Sequence, residues 1–150
     1  MNRTPAEFTI TRVFDAPREL VWRAWTQDSE LGQWLHPFGV STESVSFDVR
    51  VDGRYTYTMT NEQTGEKFPT GGTFLEVEPF DRLVFTWGEP GTPVQSAPVI
   101  TLQFNERGQQ TELVFHLRGI AGQPGDNNVY DGWDEALSNF GKHLAGELMS

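Results

Sequence analysis

The side chains in this sequence that could do chemistry are mostly rings rather than nucleophiles or metal ligands. His36, His116 and His143 are scattered along the chain with none of the short spacings that zinc ligation uses, so no metal centre is expected. Cysteine is absent, which excludes disulfides, thiolate metal sites and a cysteine nucleophile. The serines lack a nucleophile-elbow setting. Gly71-Gly72 leads into a strand pattern rather than a helix, so the backbone offers no phosphate cradle on a helix N-terminus. Carboxylates are numerous but dispersed. Glu76 and Glu78 alternate with Leu75 and Val77, as on the solvated side of a sheet. His116 shares a strand face with Val114 and Arg118 and is expected to face water, and His143 falls on the polar flank of a helical pattern. His36, just ahead of Pro37-Phe38-Gly39, is the one acid–base candidate, and no catalytic residue is assigned.

The rings offer a different chemistry. Trp22 and Trp25 lie on one short helical stretch, where at least one is ordinary packing. Trp34, Trp87 and Trp133 fall at the ends of three elements that should converge. An indole at a cavity wall supplies contact area, and its N–H needs a partner. Tyr57 shares a strand face with Tyr55 and Met59 and can aim a phenol into the same space. His36, Phe38, Phe85, Leu137 and Phe140 complete the expected lining. The competing reading is that these rings are plain core. A lined cavity would hold a small hydrophobic or aromatic molecule, and nothing in the sequence implies a cofactor.

The elements that must position these residues are legible from their periods. Phe8–Phe14 alternates as a strand. Asp15-Ala16-Pro17 then changes the period, and Leu20, Val21, Ala24 and Trp25 recur at helical spacing from Pro17 to Thr26. A second short helix is expected over Asp28–Trp34, broken at His36–Gly39. Strands are expected over Ser44–Val51, Arg54–Thr60, Thr70–Glu78, Arg82–Trp87, Val99–Asn105 and Thr111–Arg118. The turns between them, at Asp52-Gly53, Asn61–Gly65, Pro79–Asp81, Glu89–Gly91 and Glu106–Gly108, imply an antiparallel meander. After a loop at Gln123–Asn127, with Asp126 or Asn127 as cap, a final helix aligns Val129, Trp133, Ala136, Leu137, Phe140, Leu144 and Leu148 on one stripe. Asp134, Glu135 and Lys142 fall on the opposite side. The expected fold is α+β, a curved antiparallel sheet of seven strands wrapped on a long C-terminal helix.

Composition sets the outer bounds. A chain of 150 residues suits one domain, 1–150, and 13% aromatic residues can build a ring-rich core. A net charge of −10 argues against a nucleic-acid partner, which calls for a basic face. No apolar run approaches the ~20 residues of a membrane span, and Met1–Pro5 lacks an apolar signal core. A cytoplasmic protein, monomer or homodimer, is the expectation.

Stretches of the chain carry a resemblance. Arg12–Thr26, Trp34, Asp52-Gly53-Arg54, Gly72–Pro79, Arg82–Trp87 and Gly132–Leu137 together resemble the START-like (SRPBCC, helix-grip) superfamily. Within it they resemble the family named after the activator of the ninety-kilodalton heat-shock chaperone's ATPase (the AHSA family). The match covers nearly the whole chain and is specific for fold. That family often has a second Trp where Leu35 stands and Gly where His36 stands, so the cavity mouth is expected to be shaped differently here. Three roles follow, the first and third from the expected cavity and the second from the family's name. The leading one is non-catalytic binding of a hydrophobic or aromatic molecule between sheet and final helix. The second is a chaperone cofactor acting through a protein surface, although the name-giving activators carry a further N-terminal domain for which this chain has no room. The third is a cyclase- or hydrolase-like enzyme using the same cavity, ranked lower for want of a nucleophile or acid–base pair.

Overall fold

The structure, a computed structural model, describes residues 6–149, with side chains described as far as residue 146. The Met1–Pro5 stretch and the side chain of Leu148 therefore lie outside the described residues. The chain order is β1 (Glu7–Phe14), α1 (Arg18–Thr26), α2 (Asp28–Trp34), β2 (Val40–Phe47), β3 (Arg54–Asn61), β4 (Lys67–Glu78), β5 (Arg82–Thr86), β6 (Val99–Arg107), β7 (Gln110–Arg118) and α3 (Val129–Met149). The strands form one seven-stranded sheet, ordered β1-β7-β6-β5-β4-β3-β2. Every pairing is antiparallel. The helix-grip architecture implied by the sequence is the one observed.

Period-two alternation gives this sheet one apolar face. Phe8, Ile10 and Phe14 from β1, Leu113, Phe115 and Leu117 from β7, and Ile100, Leu102 and Phe104 from β6 are all buried on it. Tyr55, Tyr57, Phe74, Leu83 and Phe85 extend the same layer through β3, β4 and β5. Against it α3 sets Trp133, Ala136, Leu137, Phe140 and Leu144, the residues of the helical stripe. Each large side chain so buried stabilises the fold by ~1.5–3 kcal/mol over leaving it in water. Asp126 starts α3: its carboxylate accepts the backbone N–H groups of Asn128 at 2.9 Å and Tyr130 at 3.2 Å. Those donors have no carbonyl partner in a helical first turn.

The largest departure from expectation is β2, which runs Val40–Phe47 rather than Ser44–Val51. It pairs only with β3, and its register shifts between Glu43 and Ser46, where Ser44 takes φ 56°. An edge strand of small polar residues, with little buried on either side, has a weak alternation for sequence to display. Residues 48–53 instead make a turn, with the Arg50 N–H donating to Asp48 O at 2.9 Å and Gly53 N–H to Arg50 O at 2.8 Å.

The bend of the sheet lies at Gly71-Gly72. The first half of β4 pairs with β3 and the second half with β5. At the changeover Gly71 also bridges to Gly88. A Cβ on Gly72 would sit 2.0 Å from Thr86 O, and one on Gly71 would sit 2.7 Å from Tyr55 O. Only bare backbone lets the three strands approach this closely. The bend brings the chain just after β5 over the N-terminal end of α3.

Candidate functional site

A cavity of about 160 Å³ opens between the sheet and the start of α3. Four segments build it. The loop after α2 supplies Leu35, His36 and Pro37; β3 supplies Tyr57 and Met59; and the chain just beyond β5 supplies Trp87. Asn128, just ahead of α3, and Val129, Gly132, Trp133 and Ala136 on its first two turns form the remaining wall. The loop after α2 is pinned from above. Asn139 Nδ2 donates to His36 O at 2.9 Å, and the Phe38 N–H donates to Glu135 Oε1 at 2.9 Å.

His36, Tyr57, Trp87 and Trp133, expected at the pocket, do meet there. The other expected residues do not line this cavity. Trp34 is wholly buried, its Nε1 donating to Ala24 O at 2.9 Å and its ring centred 4.5 Å from that of Phe140. It closes α1 and α2 onto α3 as core. Leu137 and Phe140 belong to the same sealed layer. Phe38 points outward, 56% exposed, with Lys142 Nζ 5.7 Å from its ring centre. Phe85 borders only a small void beneath the cavity. Among lining residues not expected at the pocket, Met59 carried a signal through the face it shares with Tyr57, and Val129 and Ala136 through the helical stripe. Leu35, Pro37, Asn128 and Gly132 line it only because the fold leaves space beside them.

None of the lining side chains is an Asp, Glu, Lys or Arg. Its polar groups are the Tyr57 phenol, the Trp87 and Trp133 indoles, Asn128 and His36. Trp87 Nε1 donates to the Tyr57 hydroxyl at 3.3 Å. Burial pushes the Tyr57 hydroxyl up to about 12, partly opposed by its hydrogen bonds with Trp87 and Thr70. Tyr57 is therefore a neutral phenol at any physiological pH. His36 Nδ1 lies 3.1 Å from Pro37 O, an acceptor, and 3.5 Å from Asn139 Nδ2, a donor, so the contact it makes depends on which ring nitrogen carries the proton. Among the described residues no carboxylate is hydrogen-bonded to His36 to orient it as a base, and no group of three His, Asp or Glu could hold a metal ion.

The Tyr57 shift carries a stability prediction. An unfolded tyrosine ionises near 10, whereas the folded one holds its proton to about 12. The stabilisation from keeping this phenol neutral is fully present below pH 10 and is lost as pH rises through 12. Denaturation midpoints should fall over that window, by ~2–3 kcal/mol from this group at 1.36 kcal/mol per unit. Tyr57→Phe should flatten the decline, leaving the part due to Tyr55, which burial also shifts upward. An unchanged alkaline slope in the variant would refute the assignment.

A second polar group sits away from the cavity. Glu30, 8% exposed, receives Arg23 Nε at 2.8 Å and lies 3.1 Å from His143 Nε2. His143 is thus buried between α2 and α3, not on a polar flank as its helical position implied. Rotation of α3 about its axis, set by contacts far along the chain, places it there. His116 does lie on the outer sheet face, 3.7 Å from Glu7.

Solved structures share this fold. A protein from Chromobacterium violaceum, CV1439, has a solved structure that superposes with a TM-score of 0.83 at 26% identity, over 94% of this chain and 98% of that one. Protein NE0264 from Nitrosomonas europaea superposes at 0.82 and 23% identity, over 99% and 100%. An AHSA1-like protein from Aeromonas hydrophila gives 0.76 and 20%, over 95% and 96%. No curated protein matches the sequence. The family model described as "Activator of Hsp90 ATPase homolog 1-like protein" matches residues 15–145, nearly the whole sheet and its covering helix, and the chain belongs to that family.

Proposed function

We propose that the cavity binds a small, neutral, hydrophobic or aromatic molecule without transforming it. The observation that carries this reading is an open cavity of about 160 Å³ walled mostly by rings and aliphatic groups, with no Asp, Glu, Lys or Arg in its lining. Concave apolar spaces with a few placed polar groups are the usual form of a small-molecule site. The polar groups present can orient a ligand. They supply no nucleophile and no paired acid and base, which ranks an enzymatic use of the cavity below simple binding.

The test is a thermal-shift and tryptophan-fluorescence screen of neutral aromatic compounds beside their charged analogues. A ligand at 100 times its Kd adds ~2.7 kcal/mol to the folded state, a rise of ~5–10 °C for a chain of this size. Emission from Trp87 and Trp133 should change, with little dependence on salt. The family description favours a second reading, an Hsp90-type chaperone engaged through the surface. No stabilising compound, together with salt-sensitive capture of the chaperone, would put that reading first.

Gly132 offers a sharper check. It stands in α3 on the cavity wall, and a Cβ there meets nothing within 4 Å. Gly132→Ala should stabilise the protein by ~0.5–1 kcal/mol through helix propensity. It should also weaken ligand binding, because the new methyl group takes up cavity space. A variant that gains stability and keeps full affinity would place the ligand elsewhere.

A further inference from the structure

The outer face of the sheet carries a second depression, of about 230 Å³, whose wall is mainly polar. Strand pairing explains its shape. Glu76, Val84, Thr101 and His116 stand abreast on β4, β5, β6 and β7. Arg82 comes two residues before that row on β5 and Arg118 two residues after it on β7, so the two arginines flank the row diagonally. All six line the depression. Its floor is apolar: Val84 is 5% exposed yet stands apart from the inner core. The register of β4 against β5 shifts between Phe74 and Glu76, and the extra residue, Leu75, joins the lining. Such a bulge bends its strand and re-aims the side chains beside it.

Donors here outnumber the acceptors that serve them. Arg82 Nε lies 3.4 Å from Glu76 Oε1, which belongs to the one carboxylate of the lining. Glu78, opposite Arg82 on β4, takes no part in the lining. His116 Nε2 lies 3.7 Å from a Glu7 oxygen. Glu7 is also the cross-strand partner of Arg118, but its carboxylate sits with His116 instead. Among the described residues Arg118 makes no hydrogen bond and no ion pair. An arginine presents five N–H donors in a rigid fork that matches a carboxylate. The net charge of −10 repels anions at long range, so an anion held at this place is held by contact.

We propose that this depression is a second ligand site, built for a small organic carboxylate. Arg118 takes the carboxylate as a bidentate pair, and Arg82, braced by Glu76, adds positive charge from across the row. The body of the molecule rests on Val84 and Leu75. The site shares no residue with the inner cavity and lies on the opposite face of the sheet. The two therefore take different chemistry, neutral and apolar inside, anionic outside, and neither reading depends on the other.

Benzoate, benzamide and benzylammonium share a ring and differ in the group it bears. Each is titrated at neutral pH into ¹⁵N-labelled protein. Benzoate should move the backbone amide signals of Val84, Thr101 and His116 and leave the Trp87 and Trp133 indole signals in place. Benzamide should bind about 10-fold more weakly or worse, having lost the charge-assisted pair, and benzylammonium should leave those amides unmoved. Arg118→Gln changes an exposed strand end and should weaken benzoate by about 10- to 100-fold. Gly132→Ala, which takes up space in the inner cavity, should leave benzoate affinity unchanged. Equal affinity for benzoate and benzamide, full affinity in Arg118→Gln, or benzoate shifts confined to the indoles would overturn the site. So would an absence of benzoate shifts along β5, β6 and β7. The comparison of probes on the wild type decides if Arg118→Gln does not fold. Failure of neutral aromatics to bind inside would sink the cavity reading and leave this site standing.

Discussion

Trp34→Ala is expected to cost ~3–5 kcal/mol of folding stability and to leave ligand affinity per folded molecule unchanged. The indole is wholly buried, it stands edge-on to Trp25 at 4.6 Å, and its N–H is paired within the protein. Removing it opens a sealed hole that cannot collapse, because α1, α2 and α3 all lean on that ring. Trp87→Ala should do the reverse. That side chain is partly exposed at the cavity, so the loss of stability should be smaller, ~1–3 kcal/mol, while binding is abolished. Urea midpoints and probe titrations on both variants separate the two roles. Equal stability losses with binding intact in both would mean that the cavity is not the ligand site. Trp133 sits between these cases, 6% exposed, with its ring 4.7 Å from Phe115 on one side and 5.7 Å from Trp87 on the other. Trp133→Ala should lose on both measures.

Gly72→Ala should be the most damaging single methyl group in the sheet. Its Cβ would stand 2.0 Å from Thr86 O and 2.7 Å from the Thr86 carbonyl carbon, both backbone atoms with no rotamer to move. Relief requires β4 and β5 to part, which also strains the Thr73 N–H bond to Thr86 Oγ1, 2.8 Å in the native sheet. Overpacking usually costs ~1–3 kcal/mol, and backbone contact puts this change at or above the upper end. For a protein with ~5–15 kcal/mol in total, melting should drop by ~6–12 °C or more. Gly65→Ala is the control. Its φ is +76°, but a Cβ there meets nothing within 4 Å, so only the strain of the left-handed conformation is lost, ~1 kcal/mol. Comparable melting losses in the two variants would show that the bend does not depend on the close approach at Gly72.

Some of the site was open to reading in advance and some was not. Trp87 and Trp133 could be placed because each sits at the end of an element whose direction the period fixes. Tyr57 could be placed because alternate residues of β3 share a face with Tyr55, which is buried. Trp34 could not, since a ring at a helix end can turn toward the loop or toward the core. The Ala24 carbonyl, ten residues earlier, settled it by accepting the indole N–H. Glu30 and His143 lie 113 positions apart, and no local pattern announces that α2 and α3 will press them together. Gly71-Gly72 is visible as a pair, but its meaning, a fold in the sheet, depends on Thr86 and Tyr55 arriving from other strands.

By itself the sequence determined the kinds of element, their order, the antiparallel meander and the faces that would be buried. Those properties follow from periods of two and 3.6 residues and from turn residues, all local along the chain. It also removed thiol chemistry outright, since there is no cysteine to supply it. Tertiary structure alone decided which rings fill the core and which border empty space. A cavity is volume that side chains from distant segments fail to occupy, so no segment encodes it singly. The same residue type serves as filler at position 34, as wall at position 87 and as unpaired donor at position 25, according to which neighbours reach it.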